Sequence, residues 1–211
     1  MKTQIHNLKD YAELAQAAYF YFDLENYILQ EDETIITLKE IISLKFSGKT
    51  AGKKEKLGQE YHFVSKNELN GEFSELQAKN FSQRYEVKFH QPNTTSGFSA
   101  TLFYDKEKGK FVVGFRGTET DIDEIEEILM DLVQDIALSL DGNLQSSALL
   151  DFLKQVDKII KNENKNIVFV GHSLGGYLAQ MAFIYCDKKH KDKLSFSPSE
   201  VYTFNAPSVY G

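Results

Sequence analysis

Apolar positions along this chain change their period near its middle. Over residues 8–22 they recur at Tyr11, Leu14, Ala15, Ala18, Tyr19 and Phe22, the spacing of one buried helix face. Residues 31–46 carry a weaker stripe of the same kind through Ile35, Ile36, Leu38, Ile41, Ile42 and Leu44, which predicts a second helix. The run Ser47 to Gly58, rich in glycine and lysine and without periodicity, predicts a mobile surface loop. From residue 85 the pattern becomes that of strands. Tyr85 to Phe89 and Gly97 to Tyr104 alternate, Asp105 to Lys110 supplies hairpin chemistry, and Phe111 to Phe115 reads as a fully buried strand.

Beyond Arg116-Gly117-Thr118 the period lengthens again. Thr120-Asp121-Ile122-Asp123-Glu124 is an acid-rich helix start, followed by apolar residues at 122, 125, 129, 132, 133 and 136. Leu149, Phe152, Leu153, Val156, Ile159 and Ile160 mark a cleaner amphipathic helix, Ile167 to Val170 a second buried strand, and Glu200 to Phe204 a third. Strand, helix, strand, helix, strand over residues 111–205 predicts a parallel sheet with helices on its faces. The expected division is an N-terminal helical segment with the lysine-rich loop, residues 1–80, and an α/β core, residues 81–211, within a chain short enough to favour one compact domain.

The strand at 167–170 runs into Gly171-His172-Ser173-Leu174-Gly175-Gly176 and then into a helical pattern from Tyr177 to Tyr185. A Gly-x-Ser-x-Gly between strand and helix is a nucleophile elbow: the turn is so tight that a Cβ two residues to either side of the serine would collide with its neighbours. The helix beginning beside Ser173 aims backbone N–H groups and a positive dipole end at the same place, which suits acyl transfer. The bland alternative is an ordinary strand-to-helix turn in which Ser173 caps the helix. Gly48-Lys49-Thr50 lacks the upstream glycine and the apolar strand of a phosphate-binding loop, so it is not read as one.

Composition narrows the partners. A formal charge of -7 argues against nucleic acid and against electrostatic attraction to anionic membranes. A single cysteine, Cys186, allows no intrachain disulfide. The N-terminus has no apolar signal-peptide core and no run reaches the length of a membrane span, so the expected location is the cytoplasm, or outside the cell by a route that needs no N-terminal signal.

Phe115-Arg116-Gly117-Thr118, Gly171 to Gly176 and Thr203-Phe204-Asn205-Ala206-Pro207, in that order and spacing, resemble the class 3 serine lipases of α/β-hydrolase fold, a mostly parallel sheet with helices on both faces. The resemblance covers the latter two-thirds of the chain, and Gly97 to Phe103 with Asn205 makes it more similar to the large bacterial branch. It implies Ser173 as nucleophile and the amides of Thr118 and Leu174 as the oxyanion hole, with the Thr118 hydroxyl assisting. It also implies an aspartate bracing the oxyanion loop, for which Asp135 is a better match than Asp131. His172, next to the nucleophile, is expected to support the elbow by packing behind it. The acidic helix 121–128 reads either as a solvated face or as a lid over the serine. The implied substrates are lipids or small esters, with transient contact to a membrane surface; no cofactor and no metal is implied.

The chain departs from that pattern in its base. In this fold the acid and histidine follow the serine in sequence, yet the histidine after Ser173 is His190. If residues 174–187 are helical, a rise of about 1.5 Å per residue carries His190, Asp187 and Asp192 on the order of 20 Å from the elbow. His6, His62 and His90 precede the serine. Residues 1–211 are therefore expected to be an N-terminal portion of an ester hydrolase acting through an acyl-enzyme, incomplete at the C-terminus and nearly inactive alone. The alternative is a catalytically silent hydrolase-like module that binds a lipid or a protein.

Overall fold

A computed structural model describes residues 2–57, 59–95, 97–117, 148–161, 166–188 and 194–208. The chain divides into two compact units, residues 1–19 with 87–211, and residues 20–86.

The first unit is built on a sheet of five strands in the order β4-β5-β6-β7-β8, where β4 is Tyr85–Gln91, β5 Ala100–Asp105, β6 Lys110–Phe115, β7 Asn166–His172 and β8 Ser197–Phe204. The sheet is mixed: β6, β7 and β8 run parallel, while β5 and β6 form an antiparallel pair. That pair follows from the four-residue turn after Asp105, whose carboxylate accepts from the Glu107 and Lys108 amides at 3.0 and 3.2 Å.

Strand alternation distributes the helices. Phe111, Val113 and Phe115 of β6 and Ile167 and Phe169 of β7 enter a core with helix α4 (Ala148–Ile160) and helix α5 (Leu174–Lys188). Phe152 of α4 anchors that core, its ring 5.5 Å from Phe89, 5.9 Å from Phe98 and 6.4 Å from Phe115. The stripe expected for α4 is buried at Leu149, Phe152, Leu153, Val156 and Ile160, whereas Ile159 turns outward. The opposite face takes helix α1 (Lys2–Ala17): a Cβ on Gly114 of β6 would stand 3.0 Å from Ala18 Cβ and 3.2 Å from the Leu14 carbonyl. Tyr11 lies tilted against Tyr202 of β8, ring centroids 4.4 Å apart, and Lys108 pairs with Asp10 at 2.8 Å while donating to Asn7 at 2.7 Å. A boundary at residue 80 would separate α1 from the sheet; its apolar face, Tyr11, Leu14, Ala15 and Ala18, is buried in the sheet-bearing unit instead.

The second unit holds a three-stranded antiparallel sheet, β1 (Ile28–Leu29), β2 (Thr50–Leu57) and β3 (Glu60–Glu68), with helices α2 (Leu38–Ile42) and α3 (Glu75–Arg84). Its core is aromatic, with Phe20 against Phe73 at 5.0 Å, Phe73 against Phe81 at 5.5 Å and Phe81 against Tyr85 at 4.6 Å. Two expectations are corrected here. The lysine-rich loop is a hairpin strand, paired from Thr50↔Glu68 to Leu57↔Glu60. It shows no alternation because its outer half is exposed on both faces, where ammonium groups lie over rings: Lys53 over Tyr27 at 4.7 Å and Lys54 over Phe63 at 5.3 Å. The helix expected over 31–46 shrinks to α2, started by a Thr37/Glu40 capping box, because Ile35 and Leu44 face solvent. The amphipathic stretch 121–136 lies outside the described residues.

Candidate active site

The strands β6, β7 and β8 end together. Phe115 lies opposite Gly171, Gly171 opposite Thr203, and His172 opposite Phe204, so Gly117, Ser173 and Asn205 emerge from the same sheet edge. Ser173 stands alone between β7 and α5 with φ +54°, a left-handed conformation uncommon for a side chain with a Cβ. Both peptide groups flanking it are held. Its N–H donates to the Phe204 carbonyl at 3.0 Å, and its own carbonyl accepts from Gly176 and Tyr177 at 2.9 and 3.3 Å, the first bonds of α5. Its side chain is half-buried, open to solvent on one side.

The glycine spacing read from the sequence is required by contact. A Cβ on Gly171 would collide with the Gly175 carbonyl and come within 2.6 Å of the Gly176 nitrogen. A Cβ on Gly175 would collide with the Phe115 carbonyl and lie 2.8 Å from the Gly117 nitrogen. The elbow is thus packed against the end of β6 with no room for a methyl group, which fixes Ser173 relative to Gly117.

Leu174 opens α5 and is buried; as the first helical residue, its N–H has no carbonyl one turn earlier to bond. Thr118 and Asp135, with Asp131 beside it, lie outside the described residues, as do His190 and Asp192. The residue before Thr118, Gly117, is buried against the elbow, and Arg116 before it is 6% exposed with its N–H donating to Ser99 at 3.0 Å. Asp187 stands near the far end of α5, which runs to Lys188, about 20 Å along the axis from the elbow.

His172 is a correction. It does not pack behind the elbow; its side chain is exposed, because strand alternation at the end of β7 directs it to the α1 face while α5 covers the other. There it meets Tyr19: the Tyr19 hydroxyl donates to the His172 carbonyl at 3.2 Å and lies 3.4 Å from its Nδ1, with the two rings edge-on at 6.3 Å.

His90 is accounted for by packing. On β4, its Nδ1 lies 2.8 Å from the Thr101 hydroxyl, and burial, reinforced by the Arg116 charge, pushes its pKa down to about 4. It is neutral at pH 7 and three strands from β7, roughly 14 Å at about 4.8 Å per strand. His62 faces Glu60 at 3.8 Å on the exposed hairpin, and His6 is exposed on α1. Among the described residues no imidazole hydrogen-bonds the Ser173 hydroxyl, and no three or more His, Cys, Asp or Glu side chains gather as for a metal ion.

Two residues at the site carried no functional signal in the sequence. Tyr19 reads there as one more member of a buried stripe. Gln180, a polar position on α5, donates to the Pro207 carbonyl at 2.9 Å and the Gly176 carbonyl at 3.3 Å, tying the segment after β8 to the elbow helix. Asn205 takes φ +46° beside Ser173, a conformation asparagine tolerates better than most residues.

Residues 49–194 match the family described as Phospholipase-like, Tle-like phospholipase domain. No curated protein matches the sequence. Solved structures with a partial likeness include lipase II from Rhizopus niveus, 14% identical with a TM-score of 0.46 over 63% of this chain and 52% of that one. The lipase from Rhizopus microsporus var. chinensis is 14% identical, with a TM-score of 0.43 over 63% and 48%. The nonglycosylated Lip2 lipase of Yarrowia lipolytica is 16% identical, with a TM-score of 0.41 over 87% and 55%. The chain spans about half the length of the solved lipases it is compared with.

Proposed function

This chain belongs to the Tle-like phospholipase domain family, and from that premise we propose that it hydrolyses carboxylic esters of lipids, phospholipids foremost, through an acyl-enzyme on Ser173. The observation that carries the reading is the left-handed Ser173 at φ +54° between β7 and α5, braced by glycines that admit no Cβ. Strain of this kind costs of order 1–3 kcal/mol and persists where the surroundings over-determine it, commonly at reacting groups.

In the proposed reaction the Ser173 Oγ attacks the ester carbonyl carbon and its proton passes to a base. The carbonyl oxygen becomes an oxyanion beside the Leu174 amide, with the Thr118 amide as the second donor and Asp135 bracing the loop that carries it. Collapse releases the alcohol, here the lysophospholipid or glycerol portion, which takes up the proton; water then attacks the acyl-enzyme and returns the fatty acid and free Ser173. His172 belongs to the scaffold of the elbow in this scheme. Among the described residues no helix is long and apolar enough to cross a membrane; the substrate is met at a lipid surface or as a dispersed ester.

The test is Ser173→Ala in the protein purified at the full length of its reading frame, assayed on phosphatidylcholine vesicles, on a short p-nitrophenyl ester and by labelling with a fluorophosphonate, with residues 1–211 alone expected to be nearly inactive because no described histidine reaches the Ser173 hydroxyl. The wild type is expected to hydrolyse and to label, and the variant to do neither while melting as a folded protein. Hydrolysis or labelling that survives Ser173→Ala places the nucleophile elsewhere and overturns the reading.

A further inference from the structure

We propose that Tyr19 is a positioning residue for this site, an inference that rests on Ser173 being the nucleophile. Its hydroxyl touches both limbs of the site at once. On one side it donates to the His172 carbonyl at 3.2 Å, the carbonyl of the peptide that leads into Ser173. The N–H of that same peptide is held by the Phe204 carbonyl at 3.0 Å. The plane preceding the strained serine is therefore fixed at its two polar ends by separate elements, β8 and the tyrosine that follows α1. On the other side the hydroxyl occupies the space beside the α-carbon of Gly117, where a Cβ would collide with it. Gly117 is the last described residue before Thr118, so one oxygen bears on the elbow and on the start of the oxyanion segment.

The ring is itself oriented. It lies edge-on to His172 at 6.3 Å, and the Arg116 guanidinium stands 5.9 Å from its centroid. Replacing Tyr19 by phenylalanine keeps these ring contacts and the volume, and removes the oxygen alone. What is then lost is the bond to the His172 carbonyl, the hydroxyl's contact with the His172 Nδ1 and the contact at Gly117. A side chain that served only to fill the space would not register that loss, whereas a positioning group would register it in the step where Ser173 attacks.

The experiment compares wild type, Tyr19→Phe and Ser173→Ala, each at the full length of the reading frame, by hydrolysis of a p-nitrophenyl ester, thermal melting, and amide hydrogen exchange of peptides covering residues 113–117 and 170–178. Tyr19→Phe is expected to lower kcat about tenfold with KM unchanged, the scale of one hydrogen bond at a site that depends on its geometry. Exchange should rise in those two peptides and not in α4, with the melting temperature within a degree or two of wild type. An unchanged kcat overturns the inference, with or without faster exchange. So does a general fall in melting temperature with kcat and KM moving together, which would make the hydroxyl merely structural. Hydrolysis retained by Ser173→Ala is a separate failure, that of the nucleophile assignment.

Discussion

Gly175→Ala asks most directly whether the elbow is set by close contact with β6. The added methyl would meet three backbone atoms of one segment: the Phe115 carbonyl oxygen, in collision, the Gly117 nitrogen at 2.8 Å and the Arg116 carbonyl carbon at 2.9 Å. None can rotate away as a side chain would, so β6 and α5 must part by about 1 Å to bring the carbonyl oxygen to ordinary contact near 3.5 Å. Overpacking of this kind costs about 3 kcal/mol at the upper end of its usual range. Alanine returns about 1 kcal/mol through its better helix propensity, since Gly175 lies in the first turn of α5. The net loss is about 2 kcal/mol, or roughly 4–8 °C of melting temperature for a chain of this size. Activity should fall further than stability, because the same displacement moves Gly117 away from Ser173, and about 1 Å of misplacement is worth about a hundredfold in rate. The assay pairs urea denaturation with ester hydrolysis. Gly176→Ala serves as the comparison: its methyl would meet the Ala206 Cβ at 2.5 Å and the Gly171 carbonyl at 3.0 Å, so it presses on the segment after β8 and not on β6. A Gly175→Ala protein with native melting and native kcat would refute the contact argument.

Two further outcomes follow from the same geometry. Ser173→Gly and Ser173→Ala both remove the hydroxyl, yet the glycine variant should be the more stable by about 1 kcal/mol, because glycine accepts φ +54° without a Cβ penalty; equal denaturation midpoints would mean the serine is not strained. For His90 the folded pKa of about 4 lies below the ordinary 6.5, so the unfolded chain binds the extra proton first. The neutral imidazole's contribution is therefore complete above about pH 6.5 and is lost as pH falls towards 4, by up to about 1.4 kcal/mol per pH unit. Urea midpoints from pH 7 to pH 4 should fall less steeply in His90→Gln than in wild type, and parallel slopes would show that the histidine takes up its proton without cost.

The turn at Ser173 and most of its supports were legible in the chain, because most of those features are local. Gly171 is imposed within a turn of a few residues, where its Cβ would meet Gly175 and Gly176, and buried strands and amphipathic helices such as β6, β7 and α4 write their period into consecutive side chains; Gly175 is imposed by the end of β6, and the chain shows it only as part of the turn's spacing. The serine and the amide that follows it were therefore legible as one unit. Three things were decided only in the tertiary structure. The lysine-rich segment became strand β2 because its order comes from pairing with β3 and from rings beneath its ammonium groups, and an exposed hairpin leaves no alternation to read. The direction of His172 depended on which helix covers which face of the sheet, so the side chain expected behind the elbow stands on the α1 side. Tyr19 met that histidine across 153 positions of sequence. No periodicity distinguishes a buried-stripe tyrosine that fills space from one whose hydroxyl reaches a carbonyl beside Ser173, since the partner is supplied by the packing of α1 on the sheet and not by the residues next to it.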